Sequence, residues 1–366
     1  MAKRRVLFVS PLDIFPPNTG GMRRTHDIIK SLLPRYDIAL ACPTLAQPSA
    51  VDLPIRLHEL GRPGKAQFVS PAFVRKLRAA IRSERPDAIF VSFIWTMPGV
   101  WLARAPGRTP IYLDTQNVET ERLQGSGVRW WRLAALFERA ATQLARHVFV
   151  VSEEDRNLLV RLGMPPRKAV LLPNGYDDES FSPDPESGHA MRHALGVADQ
   201  ELMVLYFGHM GYAPNRQALD VLCREVLPIF DHKHIDYRLV VAGRNSVELG
   251  QHYAHPRMVF AGPVDRIQDT INAADVVAVP LLRGGGTRLK IIESVACGTP
   301  VVSTTAGAAG LERSAFGALL TIADGWETFA CAVLRAGRQH ASGVVPRTFK
   351  DRYGWTAITG RINFDE

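Results

Sequence analysis

Two short apolar runs, Val276 to Pro280 and Pro300 to Ser303, enclose three glycines and a threonine, and no other stretch restricts the possible folds of this chain as strongly. Both runs are rich in β-branched residues and nearly free of polar ones, the composition of strands buried on both faces of a parallel sheet. Gly284, Gly285, Gly286 and Thr287 lie between them and lead into a helical pattern with Leu289, Ile292, Val295 and Ala296 on one face. A strand, a glycine turn and a helix in that order make an anion trap. The first backbone N–H groups of the helix are unsatisfied, and its dipole adds about half a positive charge at that end. Arg288 and Lys290 stand in the first turn, where the dipole favours acids. Bases placed there are expected to meet a negative group that arrives from outside.

The same alternation runs through the whole chain. Strands are expected at Val6 to Val9, Ile38 to Ala41, Ala88 to Ser92, Ile111 to Leu113, Val148 to Val151 and Val170 to Leu172, with helices at Met22 to Leu33 and Ala72 to Arg85 between them. A turn at Pro173-Asn174-Gly175 and a polar stretch to about Gly188 then interrupt the pattern. Further strands follow at Met203 to Phe207, Arg238 to Ala242, Met258 to Ala261, Val276 to Val279 and Val301 to Ser303. This is the α/β class, parallel sheets covered by helices, and 366 residues suffice for two Rossmann-like domains with separate cores. The expected boundaries are residues 1–173 and 174–345, leaving a last periodic segment, 346–366, that contains Tyr353, Trp355 and Ile358.

Charge is divided unevenly between these halves. Residues 1–173 hold 26 Lys+Arg against 14 Asp+Glu, a balance of +12, whereas the remainder holds 18 against 22, a balance of −4. A basic first half suits an anionic membrane surface or an anionic, lipid-linked acceptor. Nucleic acid is set aside as a partner because no helix-turn-helix, zinc, RRM or KH signature accompanies the charge. No apolar run approaches the roughly 20 residues of a membrane helix, and the start, MAKRRVLFVSPLD, reads as a first strand rather than a signal peptide. Four scattered cysteines fit reduced thiols in a cytoplasmic protein, possible contact with the inner face of the membrane being peripheral.

Four segments together resemble one family. The segment from Gly262 to Thr304 is similar to the donor-site signature of retaining GT-B glycosyltransferases of family 4, in the subgroup with a GGGTRLK-type loop. LYFGHMGYAPNRQA (205–218) resembles the opening of the donor domain, YLDTQNVETER (112–122) a D-x-H-N-V-E motif of the acceptor domain, and LLPNGYDDESFSP (171–183) the interdomain crossing. The resemblance implies transfer of a sugar from a nucleoside-diphosphate sugar to a glycan or lipid-linked acceptor, in cell-surface polysaccharide or glycolipid assembly. It also implies a final helix that crosses back onto the first domain. A sugar-nucleotide epimerase and a non-catalytic nucleotide-sugar-binding partner subunit remain open beside it.

By this resemblance the donor diphosphate meets Gly285, Gly286, Thr287, Arg288 and Lys290, with His209 and Asn215 beside it, Glu293 on the ribose and backbone near Val264 on the base. Gly20 and Gly21, after the first strand, would approach the diphosphate from across the cleft; their loop is not G-x-G-x-x-G, so an NAD site is not expected. Asp114, Asn117, Glu119 and Arg122 would belong to the acceptor wall. Three departures bear on mechanism. Gly285 stands where many members carry the first of two glutamates, and His209 and Pro214 stand where many carry Arg and Lys, which leaves Arg288 and Lys290 to neutralise the diphosphate. Gln116 replaces the motif's His, and a glutamine cannot act as a general base near neutral pH. In front-face retaining transfer the leaving phosphate accepts the acceptor's proton, so Gln116 would orient a hydroxyl.

No cofactor or metal is expected. The chain has no convincing D-x-D, and His232 with His234 and His252 with His255 lack nearby thiol or carboxylate partners in sequence. The segment 128–147 carries Trp130, Trp131, Leu133, Leu136, Phe137, Ala140 and Leu144 near one broad face among arginines. Such a helix is expected to pack that face on its own sheet, a lipid interface being the alternative.

Overall fold

A computed structural model describes residues 3–17, 19–61, 70–105, 107–125, 127, 131–253, 255–283, 288–339 and 343–364. The chain forms two compact units: Met1–Asn174 together with Trp355–Glu366, and Gly175–Gly354.

The first unit is built on a seven-stranded parallel sheet of order β3-β2-β1-β4-β5-β6-β7. Its strands are β1 (Arg5–Val9), β2 (Asp37–Cys42), β3 (Arg56–Glu59), β4 (Ala88–Ser92), β5 (Ile111–Asp114), β6 (His147–Val150) and β7 (Ala169–Leu171). The second unit holds six parallel strands in the order β10-β9-β8-β11-β12-β13. These are β8 (Leu202–Phe207), β9 (Tyr237–Ala242), β10 (Met258–Gly262), β11 (Val276–Val279), β12 (Val301–Ser303) and β13 (Leu320–Ile322). Central strands such as β4 (AIFVS) and β8 (LMVLYF) are buried at every position, which is why their sequences are continuously apolar rather than alternating.

Strand order reverses between β1 and β4 in the first sheet, where Val6 lies opposite Ile38 on one side and Ala88 on the other. In the second it reverses between β8 and β11, with Val204 opposite Leu239 and Val276. The crevice outside the carboxyl ends of strands at such a reversal is where doubly wound sheets bind ligands. Each unit therefore has one preferred site, set by topology before any side chain is considered.

Three sequence expectations need correction. Strands β3 and β13 were absent from the sequence reading: both are edge strands of mixed burial, without the all-apolar run that marks their neighbours. The first helix begins at Gly20, not Met22, because the Thr19 hydroxyl accepts the Met22 N–H (3.4 Å) and caps it, so Gly20 and Gly21 are helical residues rather than a loop. The last segment is two short helices, Arg347–Tyr353 and Trp355–Thr359, separated by Gly354. A Cβ at 354 would meet the Asp178 carboxylate and lie 2.9 Å from the Lys350 carbonyl, so a larger residue there requires both to shift. Arg347–Tyr353 lies in the second unit; the chain joins the first only from Trp355.

The returning tail completes the core of the first unit. Trp355, Ile358, Ile362 and Phe364 are all buried in the cluster that contains Phe8, Phe90 and Tyr112. The Phe364 ring stands edge-on to Tyr112 (4.8 Å between centroids) and Tyr36 (5.0 Å). Arg35 holds the tail's backbone, donating to the carbonyls of Thr359 and Ile362 at 3.0 Å.

Candidate functional site

In the second unit the predicted residues His209 and Asn215, beyond the carboxyl end of β8, meet Lys290 at the start of the helix Leu289–Ala296. Gly285, Gly286 and Thr287 lie outside the described residues. Arg288 is the residue that precedes the helix rather than part of its first turn. Its guanidinium is buried and donates from Nε to the Gly307 carbonyl (3.2 Å) and from Nη2 to that of Ala306 (3.3 Å). Burial lowers its pKa.

Lys290 points the other way, toward the end of β8. Its ammonium donates to Asn215 Oδ1 at 3.1 Å and lies 4.6 Å from the centre of the Tyr206 ring. Burial first, then the neighbouring charge of Arg288, brings its pKa down to about 7, with Glu293 opposing the shift. Asn215 is the hub of this corner: its amide donates to the His209 carbonyl (2.9 Å), and the Tyr206 hydroxyl donates to its backbone carbonyl (2.9 Å). The His209 ring itself is exposed, with Nε2 3.0 Å from Asn245 Oδ1.

The floor of this corner is backbone. Gly208 (φ 145°) and Gly243 (φ 118°) approach so closely that a Cβ on Gly243 would strike the Gly208 carbonyl, and a Cβ on Gly208 would come 3.3 Å from Lys290 Nζ. Asn245 adopts φ 61°, in the left-handed region that Asn tolerates better than most residues. Tyr206 and Gly208 stand in the motif 205–218 without an assigned role, and Gly243 and Asn245 lie in none of the motifs. The glycines had a signal, each directly following an apolar strand. Glu293 is buried on the same helix as Lys290, contrary to the exposed position of an ordinary helical acid. Val264, half-buried after β10, packs against the core of the unit.

In the first unit Gly21 and Gln116 are brought together. Gln116 is 6% exposed and its amide donates to Thr25 Oγ1 (3.1 Å) and to the Gly21 carbonyl (3.5 Å). A Cβ on Gly21 would lie 2.7 Å from Gln116 Oε1 and 2.9 Å from the Phe93 ring, so glycine is required there by close approach. Gln116 (φ 60°) and Phe93 (φ 65°) both hold left-handed backbone at the ends of β5 and β4. Strained residues persist where surrounding structure over-determines them, and they concentrate at functional sites.

Asp114 is fully buried and engaged by Arg24, whose Nη2 and Nε donate to it at 2.7 and 2.9 Å. Arg24 also donates to the Leu172 carbonyl (2.9 Å) and Asn174 Oδ1 (2.7 Å), and it stacks 5.7 Å from the Trp355 ring. Asp114 thus joins the strand end to the interdomain crossing and offers no open face to an acceptor. Glu119 is buried and accepts from Asn117 Nδ2 (3.0 Å) and Arg122 Nε (2.9 Å); only Arg122 of this trio is substantially exposed. Beneath them the Glu138 carboxylate, its pKa raised by burial, accepts from the N–H of Glu119 (2.7 Å) and of Thr120 (3.1 Å), capping the helix Glu119–Gly125. Sequence gave no sign of that partner, 19 positions downstream. Asp155, which opens the helix after β6, has its pKa pushed up to about 6 by burial and by Glu121 and Glu154.

Among the described residues neither His232 with His234 nor His252 with His255 gathers a third metal-binding atom. None of the described helices is long and apolar enough to cross a membrane. The helix Trp131–Leu144 packs through Ala134, Glu138 and Ala141, and Phe137 stacks on Trp95 (5.3 Å) against the core, while Leu133 and Leu136 are each 65% exposed; the expectation that the large apolar residues face the sheet holds for Phe137 and is reversed for the two leucines.

Two family models match this chain: one described as a glycosyl transferase 4-like domain over residues 19–175, the other as glycosyl transferases group 1 over residues 201–338. A D-inositol 3-phosphate glycosyltransferase of Kineococcus radiotolerans is 32% identical over 191 residues, 46% of this chain and 42% of that one. The chain therefore matches less than half the length of this relative. A GDP-mannose-dependent alpha-(1-6)-phosphatidylinositol monomannoside mannosyltransferase of Mycolicibacterium smegmatis is 29% identical over 71% of each chain. Among solved structures, sucrose-phosphate synthase from Thermosynechococcus elongatus superposes with a TM-score of 0.77 at 19% identity, covering 98% of this chain and 97% of that one.

Proposed function

Because the chain belongs to the family-4-like glycosyltransferases of GT-B fold, we propose that it transfers a sugar from a nucleoside-diphosphate sugar to an acceptor, with retention at the anomeric carbon. The observation that carries this reading is the Lys290 ammonium, held at the strand reversal of the second unit against an amide oxygen and a ring face. A cation buried beside the charge of Arg288, with Glu293 only partly opposing, is costly, and a diphosphate oxygen arriving there both compensates it and gains a charge-assisted bond. Arg288, anchored on the carbonyls of 306 and 307, adds positive potential beside it. As the bond to the anomeric carbon breaks, charge grows on the leaving diphosphate, and fixed cations stabilise it without reorganising. The Gln116 amide cannot take a proton, so the leaving phosphate accepts the proton of the attacking hydroxyl while Gln116, through Thr25 and Gly21, shapes the wall. No metal is needed in this scheme.

The acceptor is anionic in this reading. Both relatives are named for acceptors that carry a phosphate, and the first unit here is the basic one. That unit also shows an apolar groove of about 290 Å³ between the helices Met97–Arg104 and Trp131–Leu144, lined by Trp101, Leu102, Phe137 and Leu144. Leu102 also borders a hollow with Arg75, Arg78 and Arg82, and Leu144 one with Arg108, Arg146 and Arg167. An apolar strip between two groups of bases fits an anionic lipid surface.

Calorimetry with a nucleoside diphosphate tests the donor site. Lys290→Ala is expected to weaken binding by about 1.5 to 3 kcal/mol, roughly 10- to 150-fold, on a folded protein. Unchanged affinity would remove Lys290 from the diphosphate site. Donor turnover that requires an acceptor extract and survives EDTA supports transfer; consumption of the donor without acceptor favours an epimerase, and binding without turnover a partner subunit.

A further inference from the structure

The helix Pro185–Ala194 ends in a tight return. Gly196 takes φ 68°, and the N–H groups of Leu195, Gly196 and Val197 donate to the carbonyls of Met191 (3.0 Å), His193 (3.0 Å) and Arg192 (3.1 Å). Arg192, buried, donates to the Ala198 carbonyl at 3.2 Å, and the Glu201 carboxylate accepts the Ala198 N–H at 2.9 Å. The turn is thus fixed against the last turns of the helix, and it carries Asp199 back over His189 and His193.

Those histidines are four residues apart, one above the other on the exposed face. Their Nε2 atoms are 3.1 Å apart and the rings lie edge to face at 4.4 Å. One ligand atom from each of His189, His193 and Asp199 falls within 4.8 Å of the others. A single hydrogen bond between two exposed imidazoles is worth little in water. The spacing suits an ion better, since two nitrogens at 2.0–2.1 Å from a tetrahedral ion are about 3.3 Å apart. Two imidazoles with one carboxylate form a donor set for borderline metals, whereas calcium and magnesium want oxygens throughout. The negative end of the helix dipole lies at the same turns.

We propose that His189, His193 and Asp199 bind a divalent transition-metal ion of the zinc class, with water in the remaining position. The site precedes β8, at the amino end of the sheet, whereas Lys290 acts beyond its carboxyl end. The ion fastens the helix end to the turn and takes no part in sugar transfer, so this assignment is independent of the proposed activity.

Calorimetric titration of the full chain with ZnCl₂ in a non-chelating buffer is expected to show a site that His189→Gln/His193→Gln weakens by at least the roughly 10- to 100-fold cost of losing a supporting partner. Asp199→Asn weakens it as well. All three side chains are exposed, so these variants should keep the wild-type urea midpoint in the absence of added zinc, which reports that they fold. A wild type that ignores Zn²⁺ overturns the assignment. So does a double variant that binds as tightly as wild type, which would move the site to others of the chain's 11 histidines.

Discussion

The Lys290 amine illustrates how one side chain can convert burial into recognition. With its pKa brought down to about 7, it is only half protonated near neutrality in the free protein. A bound diphosphate favours the charged form and raises that pKa. The ammonium's contribution to affinity is therefore complete below the free value and is lost as pH rises through the raised, bound value. Nucleoside-diphosphate affinity of the wild type is expected to fall between about pH 7 and pH 9, and that of Lys290→Arg to stay flat, because a guanidinium keeps its proton. Calorimetry at three pH values decides it; a flat wild-type profile would separate Lys290 from the phosphate. Gly21 offers a second test at this scale. Its alanine variant drives a methyl into Gln116 Oε1 and Phe93, and such overpacking costs about 1–3 kcal/mol. Turnover should drop. A fall in nucleoside-diphosphate affinity beside it would place Gly21 at the diphosphate, as its motif implies, and an unchanged affinity would confine it to positioning Gln116.

Among the elements, the returning tail is the least conspicuous in sequence and the most testable. Phe364 is buried among Tyr36, Phe90 and Tyr112, so Phe364→Ala should destabilise by about 3–5 kcal/mol in urea denaturation. The tail is also tied to a titrating pair. The Trp355 indole donates to Asp27 Oδ2 (3.1 Å), whose other oxygen meets His26 Nδ1 (3.0 Å), while His26 Nε2 meets Asp52 (3.0 Å). Burial alone would lower the His26 pKa, but hydrogen bonds to Asp27 and Asp52 outweigh it and the pKa is raised above 6.5. Stability from this pair is present below that value and is lost as pH rises through the raised one. The urea midpoint should therefore fall from pH 6 to pH 8.5 in wild type, and less in His26→Gln.

Sequence made the central strands legible because burial on both faces imposes an apolar run, and it made Lys290 legible because a base at a helix start is anomalous. Partners joined by the fold alone were not legible. Arg24 reaches Asp114 across 90 positions, and Asp114, read as part of an acceptor wall, turned out to be the anchor of a strand end. Leu133 and Leu136 were placed against the sheet because helical periodicity tells which residues share a face but not which way that face turns.

At the scale of the whole molecule, the charge asymmetry and that outward-turned face make one argument. Donor chemistry needs neither the +12 of residues 1–173 nor leucines left in water. Tyr212, Val247, Leu282 and Val344 are exposed singly in the second unit, but Trp101, Leu102, Leu133, Leu136 and Leu144 stand together on two helices of the basic unit. Arg78 is partly occupied, donating to the Leu102 carbonyl at 2.8 Å, so the bases available to lipid are better sought at Arg75, Arg108, Arg146 and Arg167. Each basic residue near an anionic surface contributes about 1 kcal/mol, screened over about 8 Å at physiological salt. Sedimentation with liposomes is thus expected to rise with the anionic lipid fraction and to fall with added salt. Reversing those four arginines to glutamate should abolish it, and Leu133→Ser/Leu136→Ser should weaken it while leaving its salt dependence intact, because apolar insertion and charge act separately. Donor affinity should be untouched in both variants. A wild type that ignores anionic liposomes at low salt would leave the basic unit to a soluble anionic acceptor, and a concentration-dependent dimer lost in the leucine variant would assign the face to a second copy of the chain.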